Sequence, residues 1–141
     1  MYFKVLLVQK INMNYEGVII EESLEDKSVL SEVKIVKTKT EVVSEKHKTP
    51  WVNQWTKHTV RISGEKAKII AEKISKSLDS KHHWYADYKN DKFHYIIFRN
   101  KIFFVHRNNK KEYEEATRYG IFLGIPYYQV DFSPFVKAWK R

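Results

Sequence analysis

Between His47 and His58 the chain reads His-Lys-Thr-Pro-Trp-Val-Asn-Gln-Trp-Thr-Lys-His, so that Trp51 and Trp55 lie between two histidines, with Lys48 and Lys57 interleaved. Flat rings beside cations form a stacking platform for bases, each stack contributing about 1–3 kcal/mol. A spacing of four residues is close to one helical turn, so a short helix here would set Trp51 and Trp55 side by side. The structural alternative is a lid whose two indoles plug the core, since tryptophan is usually largely buried.

A second cluster, His82-His83-Trp84-Tyr85-Ala86-Asp87-Tyr88, lies in a segment of strand character. On a strand, Trp84 shares a face with His82, Ala86 and Tyr88, and Asp87 shares the opposite face with His83 and Tyr85. In the next strand His94 alternates with Tyr95. An aspartate that orients a histidine is the pairing general acid–base chemistry needs, which makes His58, Asp87 and His94 the acid–base candidates. Aromatic residues alternating along a sheet face equally describe a core. The six histidines show neither the His-Glu-x-x-His motif nor two histidines one turn apart on a helix, so no metal site is expected. His47-Lys48-Thr49 matches one copy of the two-histidine phosphoesterase pattern; no second copy exists. Phe93 to Arg107 has the general look of the C-terminal meander of small basic toxin ribonucleases. The chain is longer than that class, and its start lacks their helical hairpin.

These residues must be held by a fold, and composition bounds what that fold is. The 141 residues fit one ordinary domain. The absence of cysteine removes disulfides, zinc-thiolate sites and thiol nucleophiles, and points to a reducing, cytoplasmic setting. The apolar run Val5-Leu6-Leu7-Val8 is too short for a signal peptide or a membrane span. An apolar fraction of 43% with 15% aromatics describes a folded globule. The net charge of +9 is unevenly spread: −3 over residues 1–33, +5 over 34–62 and +7 over 63–141. That asymmetry suits an anionic partner, while a lysine-rich solvated surface is the plain alternative.

Tyr2 to Val8 reads as a short strand, and Met13 is a second candidate start that would make residues 1–12 an N-terminal extension. Tyr15 to Ile20 and Val33 to Val43 have β character, the latter with polar residues on one side. Pro50 breaks the pattern within 45–57, and His58 to Ile62 resumes it. Ser63 is a candidate N-cap for a helix whose apolar positions are Ala67, Ile70, Ala71, Ile74 and Leu78, ending near Asp79-Ser80. A meander follows, His82 to Tyr88, Phe93 to Phe98 and Ile102 to His106. Asn108 or Asn109 can cap a second helix from Lys110 to about Leu123, closed by Gly124 and Pro126. Residues 127–141 read as an extended aromatic tail with a short turn at Pro134 to Trp139. The whole predicts a single α+β domain: a mostly antiparallel sheet, including a C-terminal three-strand meander, with two main helices packed on it. No Gly-rich strand-to-helix turn is present, so neither a P-loop nor a dinucleotide site is expected, and no cofactor is implied.

The stretches HKTPWVNQWTKHTVRI, SLDSKHHWYADYKNDKFHYIIF and YGIFLGIPYYQVDFSP resemble those of a family of small bacterial and archaeal proteins with no assigned activity. The similarity spans roughly Met13 to Pro134. It implies a stand-alone domain and transfers no functional residue.

The function expected from these features is binding of a nucleic acid or another polyanion. Lys34, Lys37, Lys39, Lys57 and Arg61 would contact phosphates, with Trp51 or Trp55 stacking and His47 and Trp84 as further ligand contacts. The alternatives are a small hydrolase or nuclease built on His58, Asp87 and His94, or an interaction module whose tail packs on a partner or a second copy. A membrane partner is not expected.

Overall fold

The computed structural model describes residues 13–134. The expected strand at Tyr2 to Val8, the proposed extension 1–12 and the tail beyond Pro134 lie outside the described residues.

Six strands form one antiparallel sheet: β1 (Tyr15–Ile20), β2 (Lys34–Val42), β3 (Gln54–Ile62), β4 (Tyr85–Lys89), β5 (Phe93–Phe98) and β6 (Lys101–His106), in the spatial order β2-β3-β1-β4-β5-β6. Helix α1 (Ala67–Ser77) joins β3 to β4; α2 (Lys110–Phe122) and the short α3 (Tyr127–Val130) follow β6. This is an α+β fold. Period-two alternation sends the strand side chains to two different cores. Tyr15, Ile19, Val60, Ile62, Tyr88, Tyr95 and Ile97 pack under α1. Ile96, Phe98 and Val105 pack with Tyr113 and Ala116 of α2 and with Val130 and Phe132. The helices therefore cover opposite faces, and β5 between them is buried over nearly its whole length. On the α1 side Tyr15, Tyr88 and Tyr95 form an edge-packed cluster. Burial, then the neighbouring Tyr95, pushes the Tyr15 phenol up to about 12, so it stays a neutral core group.

Helix α2 begins on the Asn109 side chain, which accepts from the Glu112 N–H at 3.1 Å, and ends at Gly124 with φ +90°. Besides β4, which starts at Tyr85 and not at His82, three segments depart from expectation. Ser63 does not cap α1: its carbonyl closes a turn with the Lys66 N–H at 3.0 Å, and the helix starts only at Ala67. Gly64 between them disfavours helix by about 1 kcal/mol, which suits the turn. β3 begins four residues early, at Gln54, because Val42, Thr40 and Ile20 supply partners for Gln54, Thr56 and Lys57. Tyr127–Val130, expected to be extended, is helical behind Pro126. The Gln129 N–H reaches the Pro126 carbonyl at 3.0 Å, and Val130 packs against the bare Cα of Gly120. The burial of Gln129, Val130 and Phe132 folds this part of the tail back onto its own domain.

Candidate functional site

Helix α2 and α3 cover only the β5–β6 end of their face of the sheet. The rest of that face, formed by β2, β3, β1 and β4, floors a cleft of about 630 Å³ whose lining includes Val18, Lys57, Thr59, Asp87, Lys89 and Arg107. The strand register sets which cations share this face. Lys34 lies opposite Arg61, Lys37 opposite Thr59 and Lys39 opposite Lys57. Strict alternation would put Lys34 on the other side from Lys37 and Lys39. A β-bulge between Ile35 and Lys37 makes Val36 the extra residue and returns Lys34 to the lysine face. Two directly opposed pairs are thus cation against cation, an arrangement that destabilises an isolated sheet.

Partial compensation comes from carboxylates on the same face. Lys57 Nζ meets Glu41 Oε2 at 2.7 Å, and Arg61 meets Glu16 Oε2 at 3.2 Å. Lys34, Lys37 and Lys39 have no carboxylate partner among the described residues. At the far end of the cleft Arg107 donates to the Asn90 carbonyl at 3.0 Å, while its Nε is buried with no hydrogen-bond partner among the described residues.

A smaller hollow of about 250 Å³ opens beside the cleft, and Ile20, His47, Trp55, Tyr85 and Gln129 line both. The two aromatic clusters of the sequence meet here. Trp51 and Trp55 are not paired on a helix: Trp51 lies in the β2–β3 loop and Trp55 is a residue of β3. Each instead packs on Trp84, at ring centroid distances of 5.9 and 6.0 Å. Trp51 also stacks on His82 at 3.9 Å and 10°. His82 and His83 precede β4, so the expected alternation does not apply to them; both line the hollow.

The β2–β3 loop is tied down. Trp55 Nε1 donates to Thr49 Oγ1 at 3.0 Å, Gln129 Nε2 to the His47 carbonyl at 2.9 Å and Tyr128 Oη to the Lys46 carbonyl at 2.7 Å. The Ser44 N–H donates to His47 Nδ1 at 2.9 Å, which puts the proton of a neutral ring on Nε2, facing Glu41 Oε1 at 3.0 Å.

The three acid–base candidates do not converge. His58 faces the α1 side, held by Thr38 Oγ1 and Glu21 Oε1, each at 2.8 Å. Asp87 and His94 do meet, His94 Nε2 lying 2.7 Å from Asp87 Oδ2 and Nδ1 3.0 Å from Tyr113 Oη. His94 is fully buried, whereas Asp87 lines the cleft, so the imidazole can position the carboxylate but cannot itself touch a ligand. Among the described residues no group of three His, Asp or Glu side chains is arranged to hold a metal ion, and no helix is long and apolar enough to cross a membrane.

Five carboxyls among the described residues, Glu21, Glu25, Asp26, Glu41 and Asp79, are held below their ordinary values of 3.8–4.5, Glu25 and Asp26 by hydrogen bonds from Ser80 and Ser28. For Glu21 the first cause is the hydrogen bond from His58; for Glu41 it is Lys57, then His47. For Asp79 burial pushes upward but is outweighed by the Lys81 N–H and the His82 ring. A carboxyl depressed in the folded state stabilises the fold above its unfolded value, and that contribution is lost as pH falls through the folded value. The melting temperature is therefore expected to decline as pH drops below about 4.5. Glu21→Gln and Glu41→Gln together should flatten that acid limb in a thermal melting series; an unchanged limb would exclude these pairs as its cause.

Lys48 of the hollow was among the cations interleaved with the tryptophans, but sequence reasoning missed Lys81 and Gln129 in the hollow and Lys89 and Arg107 in the cleft. None of these four carries a local signal, because each arrives from a different part of the chain, Gln129 from α3 and the others from loops or a strand end. The chain matches no family model, no curated protein and no solved structure.

Proposed function

We propose that the chain binds a polyanion, foremost the phosphate backbone of a nucleic acid, along the exposed sheet face of β2 and β3. The observation that carries this reading is the single-face row Lys34, Lys37, Lys39, Lys57 and Arg61, with like charges directly opposed in Lys34–Arg61 and Lys39–Lys57. Cations placed against cations cost stability, and a bound phosphate between them offsets that cost. The net charge of +9 supports the same reading, whereas the adjoining cleft is mixed, lined by Lys57, Lys89 and Arg107 together with Glu16, Glu41, Asp87 and Asp91.

With five phosphate contacts, the logarithm of the binding constant should fall with the logarithm of salt concentration at a slope of about −3.5 for a single strand or −4.5 for a duplex. Replacing Lys34, Lys37 and Lys39 by alanine should make that slope shallower by about 2 to 3. A flat salt response, or a slope indifferent to the triple substitution, sinks the reading. One observation favours a second reading: Asp87, positioned by His94, lines the same cleft and would serve as the base of a small hydrolase acting on the bound anion.

A further inference from the structure

We propose that the indole–imidazole hollow takes one unstacked base of the bound nucleic acid, with its phosphate on Lys48 or Lys81, so that the protein prefers single strands. This rests on the polyanion reading and assigns the ligand's other half.

The wall chemistry selects the occupant. Three indoles and three imidazoles line the hollow with Lys48 and Lys81, and no carboxylate is among the lining residues. An aromatic cage for an organic cation gains from nearby negative charge; this wall presents the opposite sign. What fits is a flat π-system that is neutral itself and carries an anion, which describes a nucleotide. The volume of about 250 Å³ lies below the range of about 300–1,000 Å³ typical of drug-sized ligands, so it suits one ring system.

The position is equally specific. The hollow shares walls with the cleft at His47, Trp55 and Tyr85, and the lysine row reaches that cleft at Lys57, so a strand leaving the row at Lys57 can turn one base inward. Trp51 is 40% exposed although it packs on Trp84, and it is braced from one side by His82. His82 is in turn fixed by Asp79 Oδ2 at 2.7 Å. Rings held in this way lose little freedom on binding. A duplex must first flip a base out of its stack, an added cost that a single strand does not bear.

The test measures binding of a labelled oligodeoxyadenylate of about a dozen nucleotides, the blunt duplex of the same length, and adenosine monophosphate. It uses the full chain and its Trp51→Ala, Trp51→Phe and Lys37→Ala/Lys39→Ala variants, each checked for an unchanged melting temperature. The single strand should bind the parent protein more tightly than the duplex. Trp51→Ala should weaken single-strand binding roughly five- to hundredfold and leave duplex binding unchanged, with Trp51→Phe recovering part of the loss. Equal loss for both forms, or none for either, overturns the base pocket while the polyanion reading survives through the lysine variant. A lysine variant that changes neither form overturns both. Adenosine monophosphate binding as tightly as the strand overturns the strand as occupant in favour of a free nucleotide.

Discussion

Replacing Gly17 by alanine should lower the melting temperature by more than about 10 °C or prevent folding outright, a loss of roughly 3–5 kcal/mol. A Cβ at this position would lie 1.9 Å from the Asp87 carbonyl oxygen, 2.5 Å from Tyr88 Cα and 2.6 Å from Tyr88 Cβ. The obstruction is mostly backbone, so no rotamer change relieves it. Gly17 is registered between Val60 on β3 and Tyr88 on β4, in the strand that joins the two halves of the sheet. Relief requires β1 to move away from β4, opening the α1-side core where Tyr88 is fully buried and parting the cleft floor between Val18 and Asp87. Differential scanning calorimetry of Gly17→Ala is the direct measurement. A shift under about 3 °C would mean that the strands separate at little cost.

His94→Ala is expected to cost about 2–4 kcal/mol, read as a lower denaturation midpoint at unchanged slope. The ring is fully buried and bonded at both nitrogens, linking β4, β5 and α2 through Asp87 and Tyr113. Its removal leaves a void and withdraws the group that positions Asp87. The result also separates two roles. A large stability loss identifies a structural imidazole that holds a cleft carboxylate in place. An unchanged midpoint together with loss of hydrolysis of a bound strand would make His94 the positioning residue of an Asp87 base, as the second reading requires.

Much of the framework was legible in the sequence because it depends on local periodicity and punctuation. The pattern of Phe93–Phe98 and the Asn109 cap with Gly124 mark β5 and α2 nearly to the residue. The apolar spacing of Ala67 to Ile74 marks the buried face of α1. Where a long-range partner decides, local signals failed. Gln54–Lys57 became strand because two neighbours offered ladder hydrogen bonds, and Tyr127–Val130 coiled because Gly120 left room for Val130. The aromatic residues were singled out correctly, but the expected helical pairing of Trp51 with Trp55 was not the geometry. Both reach Trp84 instead, a residue far along the chain and near only in the fold.

The sequence by itself determined an α+β domain, the onset of positive charge after residue 33 and the aromatic–basic character of residues 47–61. Composition and side-chain period are properties of the chain alone. The tertiary structure decided which of those groups act together. It put His58 on the α1 side of the sheet, away from Asp87 and His94, and gathered His47, His82 and His83 around three indoles. Through one bulged residue, Val36, it also turned Lys34 onto the face of Lys37 and Lys39. The physical reason is that register is set between strands: inserting a single residue reverses every side chain beyond it, and only the pairing of β2 with β3 says where that insertion falls.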